Sequence, residues 1–211
     1  MTSYVLQVLE CPACQAHFVS MSVASHNTFD AIWYTDGFIE GPMFDEGCPI
    51  LECPECRQCF WCESVRTLRF VQEAEYSRDA ECKTLPWANR DLRFASLVDD
   101  GHWETEAQER YIRTRAWWES NHSYRREQSV PFNLAGNELA NLEKLLLLLA
   151  PNDSRDALTA AEISRELGRL DECLRRLDRD FDEHLRSAAS QVRQLARDGS
   201  RRVARLVDVG S

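Results

Sequence analysis

The chain has 211 residues, 44% hydrophobic and 28% charged, with a formal net charge of −10. That balance falls in the range of folded globular domains and excludes wholesale disorder. The longest apolar run, Leu145 to Ala150, is far short of the about 18–20 residues a membrane-spanning helix requires.

The charge is unevenly placed. Residues 1–105 carry 17 acidic and 7 basic side chains, whereas residues 106–211 carry 18 of each. Within residues 1–62, eight acids face a single basic residue, Arg57. A module built from that stretch presents a negative field to its partners. The opening MTSYVLQVLECPAC has no basic segment followed by an apolar one, so no secretory leader is read there and a cytoplasmic location is expected. Nine cysteines in such a chain point to metal ligation or buried thiols ahead of disulfides, because the cytosol keeps thiols reduced.

In chain order, the first motif is Cys11-Pro12-Ala13-Cys14, followed by His17 and Phe18. HFVSMSVAS (17–25) alternates in the manner of a strand, and FDAIWY (29–34) reads as a second. Thr35-Asp36-Gly37 and Gly41-Pro42 are turn signals, which makes a short meander. The second motif follows as Cys53-Pro54-Glu55-Cys56, with Cys59 and Phe60. Both motifs read C-P-x-C-x-x-x-F, an internal repeat. A C-x-x-C turn aims two thiolates at one ion, and two such turns supply the four ligands of a closed tetrahedral zinc site: Cys11, Cys14, Cys53 and Cys56. The phenylalanines are placed to shield that site from water.

The repeat also disposes of the rest of CPECRQCFWC. Cys59 aligns with His17 and Cys62 with Ser20, so neither belongs to the ligand set. An iron–sulfur cluster on the four cysteines of that run is disfavoured, because the run lacks the C-x-x-x-C-P ending of ferredoxins and would orphan Cys11 and Cys14. Cys48, Cys82 and Cys173 have no neighbour at ligand spacing and read as structural thiols. Trp33, Tyr34, Asp36 and Phe38, on the meander, are the candidate interaction surface, with a small aromatic core as the competing assignment.

On these motifs, residues 8–64 resemble a zinc ribbon of rubredoxin-type knuckles. More narrowly they resemble an uncharacterised bacterial protein family with CPxC knuckles and a middle segment like Asn27-Thr28-Phe29, Trp33, Asp36-Gly37 and Pro42-Met43. The resemblance implies one structural zinc ion and no established activity. Knuckles of this type usually carry glycine after the second cysteine, whereas Gln15 and Arg57 stand there in this chain, so strain is expected at both.

Residues 65–103 fit either a strand or a short helix at SVRTLRFVQEAEY and break at Pro86. ETEAQERYIRTRAWWESNH (104–122) reads as an amphipathic helix with Tyr111, Ile112, Ala116 and Trp117 on one stripe, followed by a loop, SYRREQSVP. From Asn133 the chain is helical. NELANLEKLLLLLA is so rich in leucine that burial on most of its surface is expected, and Pro151-Asn152-Asp153 ends it. AAEISRELGRLDECLRRL (160–177) resembles the interior of one tetratricopeptide repeat, with a turn at Leu167-Gly168, Cys173 at the small position and Leu177 at the large one. An apolar stripe from Leu170 to Leu195 continues to Asp198-Gly199.

Phosphate contact depends on lysine and arginine, so a ribbon with one arginine against eight acids does not serve nucleic acid. Such a role would rest on Arg186, Arg193, Arg197, Arg201, Arg202 and Arg205 in the tail, which otherwise read as a solvated helix face. Four cysteines close the zinc site, the five histidines are scattered, and no H-E-x-x-H or G-x-S-x-G motif is present, so no catalytic residue is nominated. The expected architecture is α+β: a zinc-ribbon module at 1–64, a connecting region at 65–132 with its helix near 104–122, and a helical, tetratricopeptide-like region at 133–211. The expected function is a non-catalytic cytoplasmic zinc protein that binds another protein as an interaction or adaptor module. The alternatives are a rubredoxin-like iron electron carrier or thiol redox protein and, third, nucleic-acid binding through the basic tail.

Overall fold

A computed structural model describes residues 3–72, 76, 79, 82–89, 92–127 and 129–207. Among the described residues, seven strands precede seven α-helices, which is the α+β class expected. The strands are β1 (Ser3–Glu10), β2 (His17–Ser25), β3 (Ile32–Trp33), β4 (Ile39–Glu40), β5 (Ile50–Glu52), β6 (Cys59–Trp61) and β7 (Arg66–Gln72). The helices are α1 (Phe94–Asp99), α2 (Glu106–Ser120), α3 (His122–Arg126), α4 (Gly136–Leu147), α5 (Ser154–Glu166), α6 (Leu170–Leu177) and α7 (Glu183–Arg197).

The chain divides into two compact units. The first comprises residues 1–31 and 41–92, and the second residues 32–40 and 93–211. These limits differ from the expected 1–64, 65–132 and 133–211. Residues 66–72 form a strand of the first unit rather than a connector, and nine residues between the knuckles belong with the helices.

In the first unit, an antiparallel sheet runs in the order β2-β1-β7. Its register pairs Leu6 with Met21 and Val71, and Val8 with Val19, with a bulge between Val8 and Leu9. Leu6, Val8, Val19 and Val71 are buried together with Cys82. The alternation of SYVLQVLE supplies the central strand, while β-branched residues and aromatics supply its neighbours. A separate two-stranded sheet, β5–β6, pairs Ile50 with Trp61 and Glu52 with Cys59.

In the second unit, Thr105 opens α2 with a capping box. Its hydroxyl accepts from the Gln108 N–H at 3.2 Å, and the Gln108 amide accepts from the Thr105 N–H at 3.2 Å. The helix expected at 104–122 is α2, and part of the expected loop beyond it is α3. Asp153 caps α5 through the Asp156 N–H at 2.9 Å. Leu167-Gly168 makes the turn into α6, with Gly168 at φ +79°, a left-handed conformation that glycine adopts without strain. Cys173 and Leu177 are fully buried against Ala157, Ala161, Phe181 and Val192, which closes the expected helical hairpin. Trp117, Leu142, Leu145 and Ile163 form a further cluster. α4 is less buried than its composition implies: Leu147 is 77% and Leu139 36% exposed, because its core stripe is narrow and centres on Leu142 and Leu145. Among the described residues, no helix is long and apolar enough to cross a membrane.

Candidate metal centre

The two knuckles are built alike. β1 delivers Cys11 and β5 delivers Cys53, each as the first residue past its strand. In the first turn the Gln15 N–H donates to the Cys11 carbonyl at 2.9 Å, and the Cys11 N–H donates to the Ala16 carbonyl at 2.9 Å. In the second, Arg57 N–H bonds the Cys53 carbonyl at 3.0 Å, and Cys53 N–H bonds the Gln58 carbonyl at 2.9 Å. Gln15 and Arg57 each take φ 62°, the left-handed conformation in which strain was expected. β2 and β6 then begin at His17 and Cys59, so the alignment of these two residues in sequence is also an equivalence in structure.

The turns bring the four knuckle sulfurs together. Cys11 Sγ lies 3.7 Å from Cys56 Sγ, Cys14 Sγ lies 3.8 Å from Cys53 Sγ, and all four atoms fall within 4.8 Å of one another. A tetrahedral ion with metal–sulfur bonds of about 2.3 Å sets its sulfurs about 3.8 Å apart, so the spacing fits such an ion. Among the described residues, this is the only group of three or more Cys, His, Asp or Glu side chains found at metal-binding distance. Cys59 and Cys62 lie outside it.

Each knuckle contributes one buried thiol, Cys11 or Cys53, and one more open to solvent, Cys14 or Cys56. Phe18 is fully buried and Phe60 half-buried beside Cys11, Cys53 and Leu51, where they keep water from the inner face. Desolvation raises the Cys11 thiol, but the N–H groups of Cys14 and Ala13 outweigh it and hold the group at about 7. At Cys53 desolvation prevails over the N–H groups of Cys56 and Glu55 and pushes the thiol up to about 12. A bound dication would favour the thiolate at both. Arg57 pairs with the buried Glu52 at 2.8 Å.

The remaining cysteines are placed otherwise. Cys82 and Cys173 are buried, and burial pushes the Cys173 thiol up to about 11. Cys48 and Cys62 lie at the open end of the β5–β6 pair, where their thiols bond the carbonyls of Ile50 and Cys48 at 3.4 and 3.7 Å. Desolvation raises the Cys62 thiol to about 11.

Trp33, Tyr34, Asp36 and Phe38, the candidate interaction residues, lie on the β3–β4 hairpin. Tyr34 and Asp36 are buried, and Trp33 and Phe38 are half-buried. Asp36 is taken up by polar partners within the second unit: it forms an ion pair with Arg125, accepts from Asn121 Nδ2 at 3.0 Å, and offers its carbonyl to Trp118 Nε1 at 2.9 Å. The Arg125 guanidinium lies over the Phe38 ring, 4.2 Å from its centroid. Sequence reasoning missed Asn121, Arg125 and Glu166. Their partners are far away in sequence, so no local spacing marked them.

Comparison with known proteins found no matching family model, no matching curated protein and no matching solved structure. The likeness to a zinc ribbon therefore rests on the knuckles themselves.

Proposed function

We propose that the protein is a non-catalytic zinc protein of the cytoplasm, in which one structural Zn2+ on Cys11, Cys14, Cys53 and Cys56 holds a β module that serves in protein–protein interaction. The observation that carries this reading is the closure of four sulfurs within 4.8 Å. Four thiolates complete a tetrahedral shell, which leaves no position for substrate or water. A sheet of this size has a small apolar core, and a metal bound only by the folded form contributes its binding free energy to folding.

Two features support an adaptor role. Residues 1–31 and 41–92 carry 12 acidic against 6 basic side chains, and Phe29 and Phe70 are 67% and 64% exposed. Large exposed aromatics within an acidic unit suit a partner with an apolar surface rimmed by basic groups. The α5–α6 hairpin, with its tetratricopeptide-like spacing, is the second candidate face. The test is metal removal followed by amide hydrogen exchange. Chelation is expected to strip protection from β1, β2 and β7 while α5 and α7 keep theirs. Unchanged protection in the strands would remove the structural role.

A further inference from the structure

Two cysteines outside the tetrad meet at the open end of the β5–β6 pair. The register of Ile50 with Trp61, carried on by one residue, sets Pro49 opposite Cys62, and the Cys62 N–H donates to the Pro49 carbonyl at 2.7 Å. Cys48 is the next residue along. The chain bends at Pro49, which takes Cys48 out of the pleat of the strand. The Cys62 thiol lies on the main chain of Cys48, bonded to its carbonyl at 3.7 Å, while the Cys48 thiol bonds the Ile50 carbonyl at 3.4 Å.

A residue one step from a cross-strand partner about 5.5 Å away is itself about 6 Å off between Cα atoms, inside the about 4.4–6.8 Å that a disulfide spans. Cys59 fails the same criterion. It pairs with Glu52 at the knuckle end of β6, and three residues of extended chain put it about 10 Å from Cys62. Among the described residues, Cys62 is also the one exposed cysteine outside the tetrad, whereas Cys48 is half-buried. Desolvation first and the charge of Cys48 second raise the Cys62 thiol to about 11, so the two groups sense each other.

We propose that Cys48 and Cys62 form a modification site, closed to a disulfide by exchange with a small-molecule disulfide such as oxidised glutathione. The exposed Cys62 thiolate attacks one glutathione sulfur, forms a mixed disulfide and expels glutathione, whose sulfur takes up the proton that Cys62 released. The Cys48 thiol then turns from the Ile50 carbonyl, gives up its proton and attacks the Cys62 sulfur, and the second glutathione leaves with that proton. Two protein thiols are oxidised and one glutathione disulfide is reduced to two thiols. The bond ties the open end of β5–β6 and closes the loop of residues 48–62, which carries Cys53 and Cys56. A reducing compartment keeps both thiols free, so the link answers to the supply of oxidant.

The test is incubation of the full chain with oxidised glutathione, followed by intact mass measurement and non-reducing peptide mapping. The wild type should lose two hydrogens and yield a peptide pair linked through Cys48 and Cys62. Cys48→Ser should stop at a stable glutathione adduct on Cys62, and Cys62→Ser should leave Cys48 unmodified. Formation of the link should quicken as pH rises, because the thiolate fraction of Cys62 grows until about 11. If Cys48→Ser lowers the thermal midpoint, Cys48→Ala decides in its place. A lasting adduct on Cys62 in the wild type, a link from Cys62 to Cys59, or no modification of Cys62 overturns the proposal.

Discussion

Asn121 donates from Nδ2 to Asp36 at 3.0 Å although 85 residues separate the two in sequence. The same amide nitrogen donates to Glu166 at 3.0 Å, and Trp117 Nε1 donates to the other Glu166 oxygen at 2.7 Å. Asp36 sits at the tip of the β3–β4 hairpin, so a turn from between the two knuckles is tied into the helical unit by buried polar groups.

This tie has a measurable consequence. Asp36→Ala would leave the Arg125 guanidinium, 3% exposed, without its carboxylate. Breaking a buried pair from one side costs about 3–5 kcal/mol. Urea unfolding followed by tryptophan fluorescence is expected to show a loss of that size in the second unit. A change under about 0.5 kcal/mol, the range of ordinary surface substitutions, would mean that the hairpin is not part of its stability.

Glu166 provides a pH signature. Desolvation, then the charges of Glu162 and Asp36, raise its carboxyl well above its ordinary value of 4.5. The folded chain therefore holds a proton that the unfolded chain has released. Stability attributable to Glu166 is present at or below 4.5 and falls as pH rises toward the folded value, by at most about 1.4 kcal/mol per pH unit. Relative to Glu166→Gln, which does not titrate, the wild type should lose urea resistance as pH climbs through that window. A difference between the two that stays constant with pH would show that Glu166 is ionised throughout.

The matched φ of 62° at Gln15 and Arg57 separates two glycine substitutions. Gln15→Gly relieves a left-handed conformation and should stabilise the first unit by about 1 kcal/mol. Arg57→Gly relieves the same strain but strips the buried Glu52 of its partner, so it should gain less or lose stability. Guanidinium midpoints of the metal-loaded variants check the order, and an equal gain in both would show that the Arg57–Glu52 pair contributes nothing.

What could be read in the sequence divides along the range of the interactions. The cysteine tetrad was legible because each knuckle is local and its C-P-x-C-x-x-x-F pattern occurs twice, at Cys11–Phe18 and Cys53–Phe60. α2, α5 and the turn at Gly168 were legible from periodicity and punctuation. β1 is not among the strands read from the sequence, although SYVLQVLE alternates and forms the centre of the sheet, and β7 reads as either strand or helix because only pairing decides it. The placement of residues 32–40 was not legible at all. Thr35-Asp36-Gly37 announces a turn, but nothing nearby says that Arg125 and Asn121 hold its aspartate. The tail arginines looked like one basic helix face, whereas Arg201 and Arg202 follow the helix and bind carbonyls.

The most direct test of the metal centre is metal content and visible spectrum, measured on protein purified without added metal for the wild type and for Cys56→Ser and Cys59→Ser. One zinc per chain in colourless wild type, kept in Cys59→Ser and lost in Cys56→Ser, is the expected result. Loss of metal in Cys59→Ser would contradict the assignment of Cys11, Cys14, Cys53 and Cys56 as the ligand set. One iron per chain in a coloured sample that bleaches on reduction would replace the structural role with electron transfer.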